Sequence, residues 1–313
     1  MFTDLSMVVF TVFAQMSVGA FIVLGAVQVY ARVQGGRSAE DVDRVTDPAL
    51  YAVGVTLALG LIASIFHLGT PMNAINVLRH VDSSWLSREI AFGLAFAGLG
   101  FVFAATQYFK WGSAALRQAL AALTALVGVG LVVSMSMIYA SLDAVPAWST
   151  WVTPAQFAIT TLLLGSLAVG AAFMGTVMWR RRQAADEEAE EPTTDAGDLE
   201  TISTSLKGIA VASIVLLGAA FVVIPLHLNE LSQGGAAAVA SAEVFSGAMF
   251  ALRLALVFLG AGLLGFFVYR FAARMESNPQ PLAVVATVAF GLVFVGEFIG
   301  RSLFYESMTR IGM

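Results

Sequence analysis

Apolar residues fall into long runs separated by short polar stretches from one end of the chain to the other. A helix needs about 20 such residues to cross a hydrocarbon core ~30 Å thick, so each run predicts a transmembrane helix. Eight runs are present, near 5–31, 48–68, 86–109, 114–140, 154–181, 204–227, 246–273 and 282–304. Pro48 and Pro154 fall in predicted first turns, where proline costs a helix nothing. Pro225 lies near the end of the sixth run and predicts a bend. Segments such as "VGAFIVLGA" and "LGAGLLGFF" set small residues at helical spacing, which lets helices approach closely in lipid. The expected fold is therefore all-α: a polytopic membrane protein built as a bundle of eight transmembrane helices. It reads as one transmembrane domain over 1–313. "FHLG" and "LHLN", ending the second and sixth runs, raise the option of two four-helix halves, 1–140 and 154–313.

Charge adds the orientation. Of sixteen Lys and Arg residues, eleven fall on connections 1–2, 3–4, 5–6 and 7–8 or at the adjoining helix ends. The positive-inside rule puts those connections in the cytoplasm and both termini on the outer, periplasmic or extracellular, face. The longest of them contains "RRRQAADEEAEEPTTDAGDLE", and its composition predicts a mobile acidic cytoplasmic linker over 183–202. That linker supplies most of the net charge of −5, which therefore says little about partners. Hydrophobic residues make up 58% of the chain and charged residues 12%; this places the protein in a membrane and gives no sign of a nucleic-acid partner. The opening "MFTDLSMVVFTVFAQ" lacks a basic leader and a cleavage site, so it reads as a retained first span. The chain has no cysteine, which excludes disulfides, cysteine-ligated iron–sulfur clusters and thioether-linked haem within it.

The candidate chemistry lies in the few ionisable groups inside the runs. His67, Glu89, His227, Arg253, Glu297 and Arg301 all fall in the outer half of their spans. Each is costly in hydrocarbon and should face the bundle interior or water beside a partner. Glu297 and Arg301, four residues apart, meet on one helix face and predict a structural ion pair. Arg253 has Glu297 or Glu243 as its option. His67 and Glu89 differ, since they sit at similar depth on adjacent spans with only Arg88 nearby. Trp85, Glu89 and Phe92 share a face, and Ser64 lies one turn from His67. This predicts an outward-opening pocket with aromatic walls and two proton-exchanging groups. Such a pocket suits a quinol, while a purely structural His67 is the plain alternative. A haem held by His67 and His227 is a further option, because His80 falls in a loop.

Four segments bear a resemblance: "FTVFAQMSVGAFIVL", "GLIASIFHLGTPMNAINVL" with "SSWLSREI", "YASLDAVPAWSTWVTP" and "GEFIGRSLFY". In this order they resemble the anchor subunit of dimethyl sulfoxide reductase-type enzymes, over most of the chain. "HLGTP" followed by "REI" is the most specific element. The resemblance implies eight helices with both termini outside. It also implies menaquinol oxidation, with an iron–sulfur electron-transfer subunit and a molybdopterin-containing catalytic subunit as partners on the outer face. The histidine and glutamate implicated in quinol binding match His67 and Glu89. The acidic linker departs from the family pattern and lies on the opposite face.

These readings give one expectation. Menaquinol enters from the lipid and lodges among Ser64, His67, Trp85, Arg88, Glu89 and Phe92, where His67 and Glu89 do the chemistry and menaquinone is the product. The chain itself holds no haem, no iron–sulfur cluster and no metal. Arg79, within a capping segment 69–84, and Arg253, Glu297 and Arg301 support the site. The setting is the cytoplasmic membrane, in anaerobic respiration, and the terminal substrate is left to the partner. A secondary transporter, or an anchor of the polysulfide-reductase-like group, is the alternative.

Overall fold

A computed structural model describes residues 5–33, 36, 38–67, 76, 78–186, 196–272 and 278–312; for 39, 61, 64–67, 196 and 264 it describes the backbone alone. The described residues form helices α1 (Leu5–Val33), α2 (Ala39–His67), α3 (Trp85–Tyr108), α4 (Ala114–Ala140), α5 (Val152–Asp186) and α6 (Ala196–Ser232). A short α7 (Ala236–Glu243), α8 (Ala248–Phe271) and α9 (Gln280–Glu306) follow. Seven of these, α1, α3, α4, α5, α6, α8 and α9, are long and apolar enough to cross a membrane.

Several boundaries differ from the hydropathy reading, each for a local reason. α2 starts at Ala39 rather than near Pro48. Ser38 accepts the Asp41 backbone N–H at 3.2 Å and donates to the Asp41 carboxylate at 2.7 Å, a cap that nucleates the helix early. Pro48 therefore lies inside the helix, where it offers no N–H to the carbonyl of Arg44. That carbonyl instead accepts from the Arg180 guanidinium at 2.6 Å. The expected linker over 183–202 is helical at both edges, since α5 runs to Asp186 and α6 begins at Ala196; residues 187–195 lie outside the described residues. α6 passes through Pro225 and continues to Ser232. Within α8, Phe258–Leu264 widens into a π-helical segment.

α1 and α5 are the central helices, with 67% of their apolar windows buried, against 11% for α3, which lies at the rim. Gly19 and Gly165 allow the central pair to meet backbone to backbone, because a Cβ on Gly19 would overlap the Thr161 carbonyl.

The two ends of the bundle are closed differently. At one end, connections 1–2, 3–4 and 5–6 are tied by ion pairs. Asp43 pairs with Lys110 at 3.0 Å and Arg117 at 3.3 Å, Asp47 pairs with Lys110 at 2.9 Å, and Arg180 pairs with Asp198 at 3.4 Å. At the other end, Trp148 Nε1 donates to the Phe304 carbonyl at 2.8 Å, and the Ile311 N–H donates to the Ala144 carbonyl at 2.9 Å. The Tyr139 hydroxyl also reaches the Met7 sulfur at 3.5 Å. The start of α1 and the end of α9 therefore lie at the same end of the bundle.

Candidate functional site

α3 places most of the sequence-predicted site. Ser84 caps it, accepting the Ser87 N–H at 3.4 Å, so Trp85, Arg88, Glu89 and Phe92 occupy its first two turns. Arg88 is held by the loop before the helix, donating to the carbonyls of Val81 at 2.8 Å and Asp82 at 2.7 Å. Its guanidinium lies 4.2 Å from the Trp85 ring centroid. Both side chains are thus engaged with the mouth of the helix. Phe92 points to α4, where its ring covers Gly130. Arg79, on the short helical turn Leu78–His80, is exposed, as is His80.

Glu89 is half-buried and has no hydrogen bond or ion pair among the described residues. His67 is the last residue of α2, which packs against α3, and Ser64 lies one turn earlier. The side chains of both lie outside the described residues, as do residues 69–75 and 77 of the segment 69–84 between the two helices.

The other intramembrane charges form a separate, deeper cluster. Glu297 reaches across to α8 and pairs with Arg253 at 3.7 Å; it also accepts from Thr160 at 2.8 Å. The expected ion pair along α9 between Glu297 and Arg301 does not form. Arg301 instead donates to Gln15 Oε1 at 2.8 Å and lies 3.8 Å from the Phe157 ring centroid. Helical spacing brings two side chains to one face, and a better-placed group on a neighbouring helix then decides the pairing. Gln15, fully buried, donates in turn to the Phe157 carbonyl at 2.9 Å and to Thr161 at 3.4 Å. His227 is buried beside Phe245, apart from both groups, with its Nδ1 unpartnered among the described residues.

Sequence reasoning passed over Gln15, Tyr139, Thr160 and Tyr305. Their signal was present, since all but Thr160 lie within the segments quoted above for the resemblance, but neutral polar residues draw less notice than charges.

The family model of the DMSO reductase anchor subunit (DmsC) matches residues 1–306. An anaerobic dimethyl sulfoxide reductase polypeptide of Escherichia coli is 31% identical, over 98% of this protein and 96% of its own length. A second one from the same organism, YnfH, likewise named for anaerobic dimethyl sulfoxide reductase, is 28% identical over 98% of this protein and 95% of its own length. A sulfite dehydrogenase subunit of Allochromatium vinosum is 34% identical over 34% of this protein and 38% of its own length.

Proposed function

Because the chain belongs to the DMSO reductase anchor subunit family, we propose that it oxidises menaquinol at the outer rim of its bundle. It passes the electrons to an iron–sulfur partner subunit, which feeds a molybdopterin catalytic subunit. The protein is a multi-pass membrane protein and an anchor subunit of a DMSO reductase-type complex, and its family implies catalytic and electron-transfer partners. Membership of this family leaves the secondary-transporter reading without support.

One observation carries the site. Glu89 is a half-buried carboxylate on the rim helix α3, with no partner among the described residues. An unpartnered ionisable group is expensive in lipid and implies a ligand. In this reading a quinol arriving from the bilayer reaches it between α2 and α3. His67, at the end of α2, accepts a hydrogen bond from one ring hydroxyl. Glu89 takes the proton released from the other. Two electrons leave through the iron–sulfur partner, two protons leave to the outside, and menaquinone returns to the lipid. Trp85, Phe92 and Ser64 line the approach and Arg88 braces its mouth. Neither haem nor cluster in this chain takes part.

The topology follows the same logic. The start of α1 and the end of α9 share one end of the bundle, which requires an even number of crossings. The stretch 48–66 of α2 carries no Asp, Glu, Lys or Arg and supplies the eighth. The lysine- and arginine-rich end then faces the cytoplasm, and the membrane is the cytoplasmic one.

The test uses the assembled complex carrying Glu89→Gln or His67→Ala. Turnover driven by a menaquinol analogue falls at least tenfold, whereas turnover driven by a small soluble reductant that bypasses the anchor is unchanged. Normal quinol-dependent turnover in both variants defeats the assignment. Quinol oxidation in right-side-out vesicles acidifies the external medium, and proton release into the lumen would reverse the orientation.

A further inference from the structure

Three of the segments that carry the resemblance converge, from distant parts of the chain, at the end of the bundle where α3 begins and Glu89 lies in its first turns. α1 contributes Met7 and Thr11, the end of α4 contributes Tyr139, and α9 contributes Arg301 and Tyr305. The Tyr139 and Tyr305 hydroxyls are 3.2 Å apart. Tyr305 donates to Thr11 Oγ1 at 3.4 Å, and Thr11 donates to the Met7 carbonyl at 2.9 Å.

Each hydroxyl has a single proton, so this series of bonds has a direction. With the Thr11 proton on a backbone carbonyl and the Tyr305 proton on Thr11, the single Tyr139 proton goes to Tyr305 or to the Met7 sulfur. The lone pairs of the Tyr139 oxygen are then free to accept a hydrogen bond. Because the series ends on a carbonyl that has no proton to pass on, it is a fixed hydrogen-bonding post and not an exit route. Four rings hold the post still: Trp148, Phe157, Phe304 and Tyr305 lie with centroids 5.1 to 5.9 Å from that of Tyr139.

The electrostatics favour negative charge nearby. Glu297 pairs with Arg253, and the buried guanidinium of Arg301 has no carboxylate partner of its own among the described residues. Arg301 is 6% exposed, its Nε is unpartnered among the described residues, and its guanidinium lies over the Phe157 and Phe304 rings that pack on Tyr139. A fixed cation in a dry site stabilises an anion that develops during reaction.

We propose that Tyr139 is a further ligand of the quinol, opposite Glu89, and that Tyr305 and Arg301 act through it as positioning residues. The inference rests on the quinol reading above. In the step it serves, the Tyr139 oxygen is a second acceptor for the ring hydroxyl that donates to His67, and the O–H bond of the other breaks. That proton passes to the Glu89 carboxylate, and the quinol is left as a monoanion beside the Arg301 charge. The two electrons then pass to the iron–sulfur partner, and the second proton passes to His67 and on to the outside as menaquinone forms.

The experiment compares Tyr139→Phe, Tyr305→Phe and Glu89→Gln in the whole complex, with the soluble reductant as the control for assembly. Tyr139→Phe raises KM for the menaquinol analogue about tenfold, the loss of one hydrogen bond, with soluble-donor turnover unchanged. Tyr305→Phe raises it about threefold, because it only frees the post to turn. Unchanged KM in Tyr139→Phe overturns the proposal. If that variant fails to assemble, unchanged KM in Tyr305→Phe overturns it instead. Glu89→Gln separates the two readings: if it too leaves turnover intact, the quinol site itself is misplaced. If Glu89→Gln abolishes turnover while the tyrosine variants behave normally, only the role of the phenols falls.

Discussion

The two ends of this bundle use charge in opposite ways. At the end rich in Lys and Arg, Asp43, Asp47, Lys110 and Arg117 are joined to one another and to Gln107, and each has a charged or amide partner within 3.4 Å. Lys110 is half exposed and Asp43 buried, and together the groups fasten connections 1–2 and 3–4. At the other end, a carboxylate and a guanidinium are bonded less completely, although at the first end too Arg32 keeps a buried Nε unpartnered among the described residues. Glu89 has no partner among the described residues, and Arg301 keeps one buried N–H unsatisfied among them. A satisfied network has done its work once the fold forms. An unsatisfied one holds an interaction in reserve for something that arrives later.

This contrast is open to measurement by thermal unfolding of the purified protein in detergent, alongside turnover of the complex. The largest loss of stability is expected from Glu297→Ala, which strands Arg253 in the interior, at about 3–5 kcal/mol. Asp43→Ala removes the shared partner of Lys110 and Arg117, and its carboxylate is only 5% exposed. A loss of about 1.5–3 kcal/mol is expected, with quinol-dependent turnover unchanged; slowed turnover would blur the division between the two ends. The smallest effect is Lys110→Met, below about 1 kcal/mol at neutral pH, because the side chain is half exposed. Burial pulls the Lys110 pKa down, but the hydrogen bonds and charges of Asp47 and Asp43 outweigh it and leave the value above the ordinary 10.5. The stabilisation is therefore complete below pH 10.5 and lost as pH rises through the elevated value. Unfolding temperature should decline over that alkaline range in the parent protein, and Lys110→Met should flatten the decline.

Much of the architecture was legible before any coordinates. The apolar runs located every long helix, because partition into lipid depends on composition and length, which sequence states directly. The skew of Lys and Arg separated the two ends for the same reason. Boundaries were less legible. The early start of α2 depends on Ser38 and Asp41, and Pro48 is tolerated inside it because Arg180, 132 residues further along the chain, supplies the missing hydrogen bond. The partner of Glu297 was legible only as a choice, and α8 offered a better-placed cation than the next turn of its own helix.

By itself, then, the sequence determined an all-helical membrane protein of this family, polarised in charge, with a histidine and a glutamate closing and opening consecutive apolar runs. Hydropathy and local spacing suffice for that, since both act within one helix. Only the tertiary structure decided that Glu89 lies on the rim helix, that two tyrosines from α4 and α9 meet at the same end of the bundle, and that Arg301 backs them from inside. Which helices adjoin depends on where small residues such as Gly19 and Gly165 let backbones touch, and periodicity along one helix does not specify its neighbour.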